Sequence, residues 1–465
     1  MSDGFNIVIL AAGKGTRLKI NTPKPLCKAL GKTLVEYVIE ELDSFSQDQN
    51  LQADFNVIVG HEKDLVQKSI EKNFPNLKIN FIHQKEQLGT GHAVQTFFEN
   101  NQQALKNKNT LVVCADTPLL TQDIFFSLYS RLKRNDLEAV AATFMATDPT
   151  GLGRIVRGEK GFSIVEHKDA SDGELAIKEV NAALYIFKTQ YLRSHIDSLD
   201  TNNKSGEFYL TDLLKKDRNV SAELFEDENL FLGVNDLVQL ELAEEILSAR
   251  AIRKLQRSGV IVKKTSSQYI ESSVEVGRES IIYPHTTLIG QTKIGQNCII
   301  ESGVVLKNTV VLDNSVIRAN SYCESAHIGN HTQVGPMARL REGTKIGDQC
   351  KIGNFVETKK AQLDKGAKVS HLSYVGDAQI GENTNIGCGF ITCNYDGAQK
   401  HQTIIGKNSF IGSDVQTIAP LSIGDNAYIG SGSTINKDVP DNAFAIARER
   451  QTTKEDMAKR FLKKK

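Results

Sequence analysis

Residues 377–389 read DAQIGENTNIGCG, and residues 402–414 read QTIIGKNSFIGSD. Each carries an isoleucine–glycine pair twice, six residues apart: Ile380-Gly381 and Ile386-Gly387, then Ile405-Gly406 and Ile411-Gly412. A helix repeats near 3.6 residues and a strand near two, so neither accounts for a step of six. The same step picks out Val276, Ile282, Leu288, Ile294, Ile300 and Leu306. After a one-residue slip it resumes at Val311, Ile317 and Cys323, and after a second at Ile328, Val334, Leu340, Ile346 and Ile352. Ile423 and Ile429 continue the series, each followed by glycine. A hexapeptide period marks a parallel β-helix, in which each coil has three short strands and each strand points one aliphatic side chain into a triangular core. Stacking buries the aliphatic column, so a single coil is not stable alone. Two stretches, 357–375 and 390–404, lose the phase and are expected to leave the prism as loops, where function concentrates.

The 465 residues of the sequence suffice for two or three domains. Lys+Arg and Asp+Glu are 56 each. Net charge therefore favours neither nucleic acid nor an anionic membrane as a partner, and phosphate binding must come from a local site. The seven cysteines are scattered without a CxxC pair. They are expected to be reduced thiols of a cytoplasmic protein. No apolar run is long enough to span a membrane, and FNIVILAAG at the start is too short for a signal peptide.

Up to about residue 230 the text alternates. FNIVIL (5–10), FNVIVG (55–60) and TLVVCAD (110–116) are β-branched runs; TLVEYVIEELDSF (33–45) and EKDLVQKSIEKNF (62–74) carry helical patterns. This predicts an α/β, Rossmann-like domain with a mostly parallel sheet, whose ligands bind beyond the carboxyl ends of the strands. Apolar positions 237, 240, 243, 247 and 251 then predict one long helix, either a connector or the last helix of the first domain. The expected boundaries are 1–234, a linker helix 235–258, and 259–465 with a basic tail.

Two features of the first domain carry chemistry. LAAGKGTRL (10–18) follows a strand; Gly13 and Gly15 let backbone N–H groups approach phosphate, and Lys14 and Arg17 supply cations. It is neither a Walker loop nor a dinucleotide fingerprint. Asp116, closing the strand in VVCADTPLL (112–120), suits Mg²⁺ held against a phosphate.

With TPKPL (22–26), QKEQLGTGHA (84–93), GLGRI (151–155), IVEHKDA (164–170), EVNAALYIF (179–187), GEFYLTD (206–212) and GVND (233–236), these residues resemble sugar-phosphate nucleotidyltransferases. Over nearly its whole length the chain resembles the bacterial bifunctional N-acetylglucosamine-1-phosphate uridyltransferase/glucosamine-1-phosphate acetyltransferases, whose second half is a left-handed β-helix. The resemblance implies that Leu10, Ala11, Ala12 and Gly13 line the uridine and phosphate cradle, with Lys14, Arg17 and Lys24 on phosphate. Gln84, Gly89 and Thr90 would read uracil and ribose, and Gly153, Glu166 and Asn181 the amino sugar. Asp116 and Asn235 would ligate Mg²⁺. Departures stand at Cys114-Ala115-Asp116, where the family has Tyr-Gly-Asp, and at Asn181-Ala182-Ala183, where it has Asn-Thr-Gly.

In the second half the resemblance rests on GNFVETKKA, HLSYVGDA, NIGCG and TCNYDG. It implies His371 as general base for the glucosamine amine, with Arg341, Lys359, Tyr374 and Asn385 on the sugar phosphate. Asn394, Tyr395, Ser413, Ser431 and Arg448 would contact acetyl-CoA, with the main chain of Cys388 beside the acetyl group. Cys388 and Ser431 stand where the family commonly has Ala, and Glu342 where it has Pro. Direct transfer, with no acyl-cysteine intermediate, is expected. The family's prisms associate as homotrimers around shared clefts. The small-molecule substrates implied are UTP, glucosamine-1-phosphate, N-acetylglucosamine-1-phosphate and acetyl-CoA. Two alternatives stay open: a single-function nucleotidyltransferase whose β-helix is structural or regulatory, and a binding scaffold with decayed sites.

Overall fold

A computed structural model describes residues 4–134, 136–158 and 161–462. It divides into two compact units, Met1–Leu247 and Ser248–Lys465. The last three residues of the basic tail lie outside the described residues.

In the first unit the β-branched runs are strands: β1 (Gly4–Ala11), β2 (Gln52–Val59) and β4 (Asn109–Cys114), with β3 (Ile79–His83) between the last two. β5 (Ala139–Met145), the hairpin β6 (Arg154–Arg157) and β7 (Phe162–Val165), β8 (Glu179–Lys188) and β9 (Val220–Phe225) follow. The main sheet runs β9-β5-β8-β4-β1-β2-β3. It is parallel except at β8, which pairs antiparallel with both β4 and β5. Alternate residues of each strand feed two cores. Phe5, Ile7 and Ile9 of β1 pack with helices α1 (Leu34–Asp48) and α4 (Gln122–Arg134) on one face, and Val8 packs with α3 (Thr90–Asn100) on the other. α1 begins where Thr33 and Glu36 form a reciprocal capping box. The 62–74 pattern is α2 (Lys63–Asn73), and α5 (Thr189–Ile196) follows β8.

The long helix, α6, spans Leu237–Arg257. Its buried stripe is Ala243, Leu247, Ile252 and Leu255, while Leu237 is exposed. The spacing argument had the helix right; position 251 stands one residue before the buried Ile252, and Leu237 lies off the buried face.

The second unit is the predicted β-helix. Each residue pairs in parallel with the one a coil later: Ile281 with Ile299, eighteen on, and Val310 with His327, seventeen on. The seventeen-residue coils are the one-residue slips of the hexad. Three faces result. The first contains Ile281, Ile299, Val316, Gln333, Lys351, Lys368, Asn385 and Phe410 in register; the second contains Thr287, Val305, Tyr322, Arg339, Glu357, Tyr374 and Ile391; the third contains Lys293, Val310, His327, Lys345, Gln362 and Gln379. The predicted aliphatic column is buried from Ile282 to Ile435. Two positions before each of its members lies a second column of small residues, among them Ser280, Thr309, Ser315, Thr332 and Ser409, all buried. Their hydroxyls donate to backbone carbonyls of the next coil, as Ser315 does to Gly329 at 2.7 Å, so their burial leaves no polar group unpaired.

One expectation fails. Residues 357–375 do not leave the prism: Lys351–Lys359 and Lys368–Gly376 are nine-residue strands that continue across the corner between two faces. The coil there is regular, Lys351 pairing with Lys368. The aliphatic phase is hidden by one inward threonine, Thr358, and by five-residue steps to Leu363 and Ile380, while Leu363, Val369 and Val375 are buried in line. Thr358 is fully buried, with its hydroxyl 3.0 Å from that of Thr344, and Thr392 hides the column again, donating to Gly376 at 3.0 Å. The other interruption is real but shorter than 390–404. Ile391–Cys393 and Thr403–Ile405 are strands. Ala378 pairs with Thr403, twenty-five on, so the inserted loop is 394–402.

Candidate active sites

The first site forms where β1, β4 and the turn before α6 end together. Gly15 adopts φ 61°, and a Cβ there would come within 2.8 Å of the Lys24 side chain; only glycine lets the loop close on that lysine. Lys24 Nζ donates to Asn235 Oδ1 at 2.8 Å and forms an ion pair with Asp116. Arg17 donates to the same Asn235 Oδ1 at 2.7 Å. The Val234 N–H donates to the Asp116 carbonyl at 2.9 Å, which ties the Asn235 turn to the end of β4. Two oxygens, one of Asp116 and one of Asn235, thus converge on a single cation, the Lys24 ammonium. That donor set fits Mg²⁺, which prefers oxygen and takes one or two protein ligands plus substrate phosphates. Lys14 is exposed and Gly13 has open space around it.

Ala12 and Gly60 abut: a Cβ on Gly60 would lie 2.7 Å from the Ala12 carbonyl oxygen and 2.9 Å from Gln87 Nε2. Leu10 and Ala11 end β1, and Leu10 pairs with Cys114 of β4. Gln84 is buried; its Nε2 donates to the Gly89 carbonyl at 3.3 Å and lies 3.0 Å from His92 Nδ1. Gly89, at φ 114°, opens α3, and the Thr90 hydroxyl accepts from Leu210 N–H at 3.2 Å. The residues expected at the sugar also meet. The Asn181 N–H donates to the Gly153 carbonyl at 2.9 Å, and a Cβ on Gly153 would lie 3.4 Å from Glu166 Oε2 and 3.5 Å from Asn181 Cβ. Burial raises the Glu166 carboxyl above the usual range, against a hydrogen bond from Thr211 at 3.2 Å. Burial likewise pushes the Cys114 thiol up to about 12, so it is no nucleophile. Ala115 is buried in the opposite core.

The second site lies on the β-helix. His371 is exposed at the corner between the first and second faces, in register with Asn354 one coil before. Its Nδ1 is 3.3 Å from Asn354 Oδ1. With the amide oxygen so assigned, Nδ1 carries the hydrogen and Nε2 is left as proton acceptor. Across the second face stands Tyr374, and at its far corner Arg341 and Lys359. Arg341 donates to Glu357 at 2.9 Å. Lys359 is held below the usual lysine range, chiefly by the Lys400 ammonium from the inserted loop and further by Arg341. Three cations crowded on one corner suit a phosphate dianion. The loop is closed by Asp396, which accepts from the N–H groups of Ala398 and Gln399 and pairs with His401 at 2.7 Å. Asn394 is buried and donates to Asp377, whereas Tyr395 is exposed.

The remaining residues expected at the acyl donor fall in one line. Successive backbone bonds climb the His371 corner: Gly389 N–H to the Leu372 carbonyl, Asp414 N–H to the Cys388 carbonyl, and Gly432 N–H to the Ser413 carbonyl. Ser431 Oγ accepts from the Ser413 N–H at 3.1 Å, and a Cβ on Gly432 would lie 3.8 Å from Arg448 Cδ. His371, Cys388, Ser413, Ser431 and Arg448 therefore form a column parallel to the prism axis. Beside it runs an exposed apolar ladder, Met337, Phe355 and Leu372, at φ 54°, 55° and 26°. Asn385 is not brought to Tyr374: it faces outward on the first face, in register with Lys368.

A family profile described as the MobA-like NTP transferase domain matches residues 7–185. Profiles described as the GMPPB C-terminal domain and the bacterial transferase hexapeptide match residues 265–345 and 402–437. Relatives named bifunctional protein GlmU align from end to end. That of an Exiguobacterium species is 43% identical over 97% of this chain and 99% of the relative. The Clostridioides difficile protein is 41% identical over 97% and 96%. The chain belongs to the bifunctional GlmU family. A nucleotidyltransferase unit and a hexapeptide acetyltransferase unit are thus joined in one enzyme of small-molecule substrates, nucleotide and sugar phosphate among them. Asn354 and Lys400 of this GlmU-family chain escaped the sequence reading. Asn354 meets His371 of the next coil, and Lys400 meets Lys359 of two coils before, relations visible only once the coil length is known.

Proposed function

We propose that the two sites divide UDP-N-acetylglucosamine synthesis as follows. At the first, a phosphate oxygen of N-acetylglucosamine-1-phosphate attacks the α-phosphorus of UTP, forming the P–O bond of the UDP-sugar while pyrophosphate leaves. Arg17, Lys24 and Lys14 neutralise the crowded phosphates, and the loop 10–13 closes on them. Mg²⁺, held by Asp116 and Asn235 with Lys24 moved onto phosphate, would supply electrostatic stabilisation of the leaving pyrophosphate. Gln84, Gly89 and Thr90 hold the nucleoside, and Gly153, Glu166 and Asn181 the sugar.

At the second, His371 Nε2 takes a proton from the amine of glucosamine-1-phosphate, and the amine attacks the thioester carbonyl of acetyl-CoA. The N–C bond forms, the C–S bond breaks, and CoA leaves as the thiol. Arg341, Lys359 and Tyr374 seat the phosphate; the column from Cys388 to Arg448, with Asn394 and Tyr395, seats the donor. We assign Asn385 to a site shared with a second chain of a homotrimer, because it and Tyr374 lie on different faces of their own prism. The exposed ladder Met337-Phe355-Leu372 supports a chain–chain seam there: large apolar side chains at positive φ are costly in a free corner. We place the enzyme in the cytoplasm, where its substrates are made; among the described residues no helix is long and apolar enough to cross a membrane.

The observation that carries the reading is the pairing of His371 Nδ1 with Asn354 at one corner of the second face and the three cations clustered at its far corner, since a merely structural β-helix needs neither. Incubation with UTP, acetyl-CoA, Mg²⁺ and glucosamine-1-phosphate tests it. CoA release and UDP-N-acetylglucosamine are expected together; UDP-sugar formation without CoA release would favour the single-function alternative.

A further inference from the structure

One buried hydroxyl beneath the sugar pocket was singled out by no motif. Tyr185 of β8 is 4% exposed and pairs in register with Val112 of β4. Cys114, two residues further along β4, points to the same face. The phenol of Tyr185 lies near the Cys114 thiol. Its Oη accepts from Asn181 Nδ2 at 2.7 Å. The Oδ1 of the same amide accepts from the Ala183 N–H at 3.1 Å. A bulge between Asn181 and Tyr185 makes that second contact, with Ala183 at φ 53°.

A primary amide offers two N–H donors and two carbonyl lone pairs. In Asn181 one of each is taken inside the protein, from two directions, which sets both the flip and the tilt of the group. One donor and one acceptor remain, on a half-buried side chain next to Gly153 and Glu166. Burial also pushes the ionisation of Tyr185 far above the usual phenol range, so it stays an uncharged partner at every working pH.

We propose that Tyr185 is a positioning residue of the sugar-phosphate pocket, holding the Asn181 amide in the orientation that meets the hydroxyl or N-acyl group of the amino sugar. The inference rests on the assignment of that pocket above. It makes Tyr185 a determinant of sugar affinity and leaves nucleotide affinity to other residues.

The full chain carrying Tyr185→Phe is assayed for uridylyl transfer with sugar phosphate and UTP varied separately. The KM for sugar phosphate rises about tenfold, the scale of one lost neutral hydrogen bond. The KM for UTP stays within about twofold, and acetyl transfer is unchanged. Asn181→Ala raises the sugar KM further, and adding Tyr185→Phe to it changes nothing more, because the phenol acts through the amide. The double variant leaves no buried amide unpaired, so the comparison holds even if Tyr185→Phe alone folds poorly. An unchanged sugar KM, equal rises in both KM values, or additive losses in the double variant would overturn the proposal. Wild-type protein that forms no UDP-sugar from any sugar-1-phosphate would instead overturn the pocket assignment on which it stands.

Discussion

Lys24 touches Asp116 and Asn235 at once, so a single carboxylate decides the charge of the first site. Asp116→Ala is expected to lower uridylyl transfer at least ~10²-fold while acetyl transfer is unaffected, measured as UDP-sugar and CoA formation in the same preparation. His371→Ala reverses the pattern, with acetyl transfer reduced ~10²–10⁴-fold. Glu166 offers a pH test. Its carboxyl is raised in the folded chain, so folding favours the protonated form. The stability this contributes is full below the ordinary glutamate range and is lost as pH rises through the folded value. Glu166→Gln should therefore raise the melting temperature of the first unit at neutral pH, and leave it unchanged well below pH 4 (roughly, from the ordinary glutamate value). Equal melting of both proteins at neutral pH would refute the burial argument. Lys24 and His371 were named through motifs that resemble the family's, and Asp116 also from its place at the end of a strand. Asn354, Lys400 and Tyr185 were not, because asparagine, lysine and tyrosine acquire a role only through the neighbour that folding supplies.

Among the elements, β1, β2 and β4, the helices α1, α2 and α6, and the coils of the second unit were legible from hydrophobic spacing. The antiparallel β8 was not, since a buried strand reads the same in either direction. The apparent break at 357–375 shows the limit of counting at a fixed step: one inward threonine, Thr358, and the five-residue steps to Leu363 and Ile380 hide a column that Leu363, Val369 and Val375 continue. Gly353 illustrates how tightly the coils stack there, since a Cβ on it would overlap the Ser370 carbonyl of the next coil. Gly353→Ala is expected to destabilise the second unit by about 1–3 kcal/mol, the usual range for overpacking. Chemical denaturation followed by acetyl transfer would show it, and an unchanged midpoint would contradict the stacking geometry.

For the whole molecule, the assignment of Asn385 and Tyr374 to different faces leads to a test of assembly. Light scattering is expected to give three chains per particle. Replacing both Phe355 and Leu372 by asparagine, which tolerates positive φ, should dissociate it. Acetyl transfer should fall with dissociation and uridylyl transfer persist; a monomeric variant with full acetyl transfer would refute the shared site. No sequence pattern announced this, because a face turned toward a partner looks like any exposed edge until its neighbours on the coil are known.

The line from His371 to Arg448 has a further consequence. Rungs of a β-sheet are spaced about 4.8 Å apart, and the line spans four such steps, so under the proposed donor seat the prism would be a ruler roughly 19 Å long. Its zero mark is the imidazole and its far mark the guanidinium. Excising one complete eighteen-residue turn between Phe410 and Tyr428 would keep the core continuous and the imidazole in place, yet set the far mark one graduation short. Such a shortened enzyme should still accept a truncated pantetheine thioester while discriminating poorly in favour of the complete coenzyme.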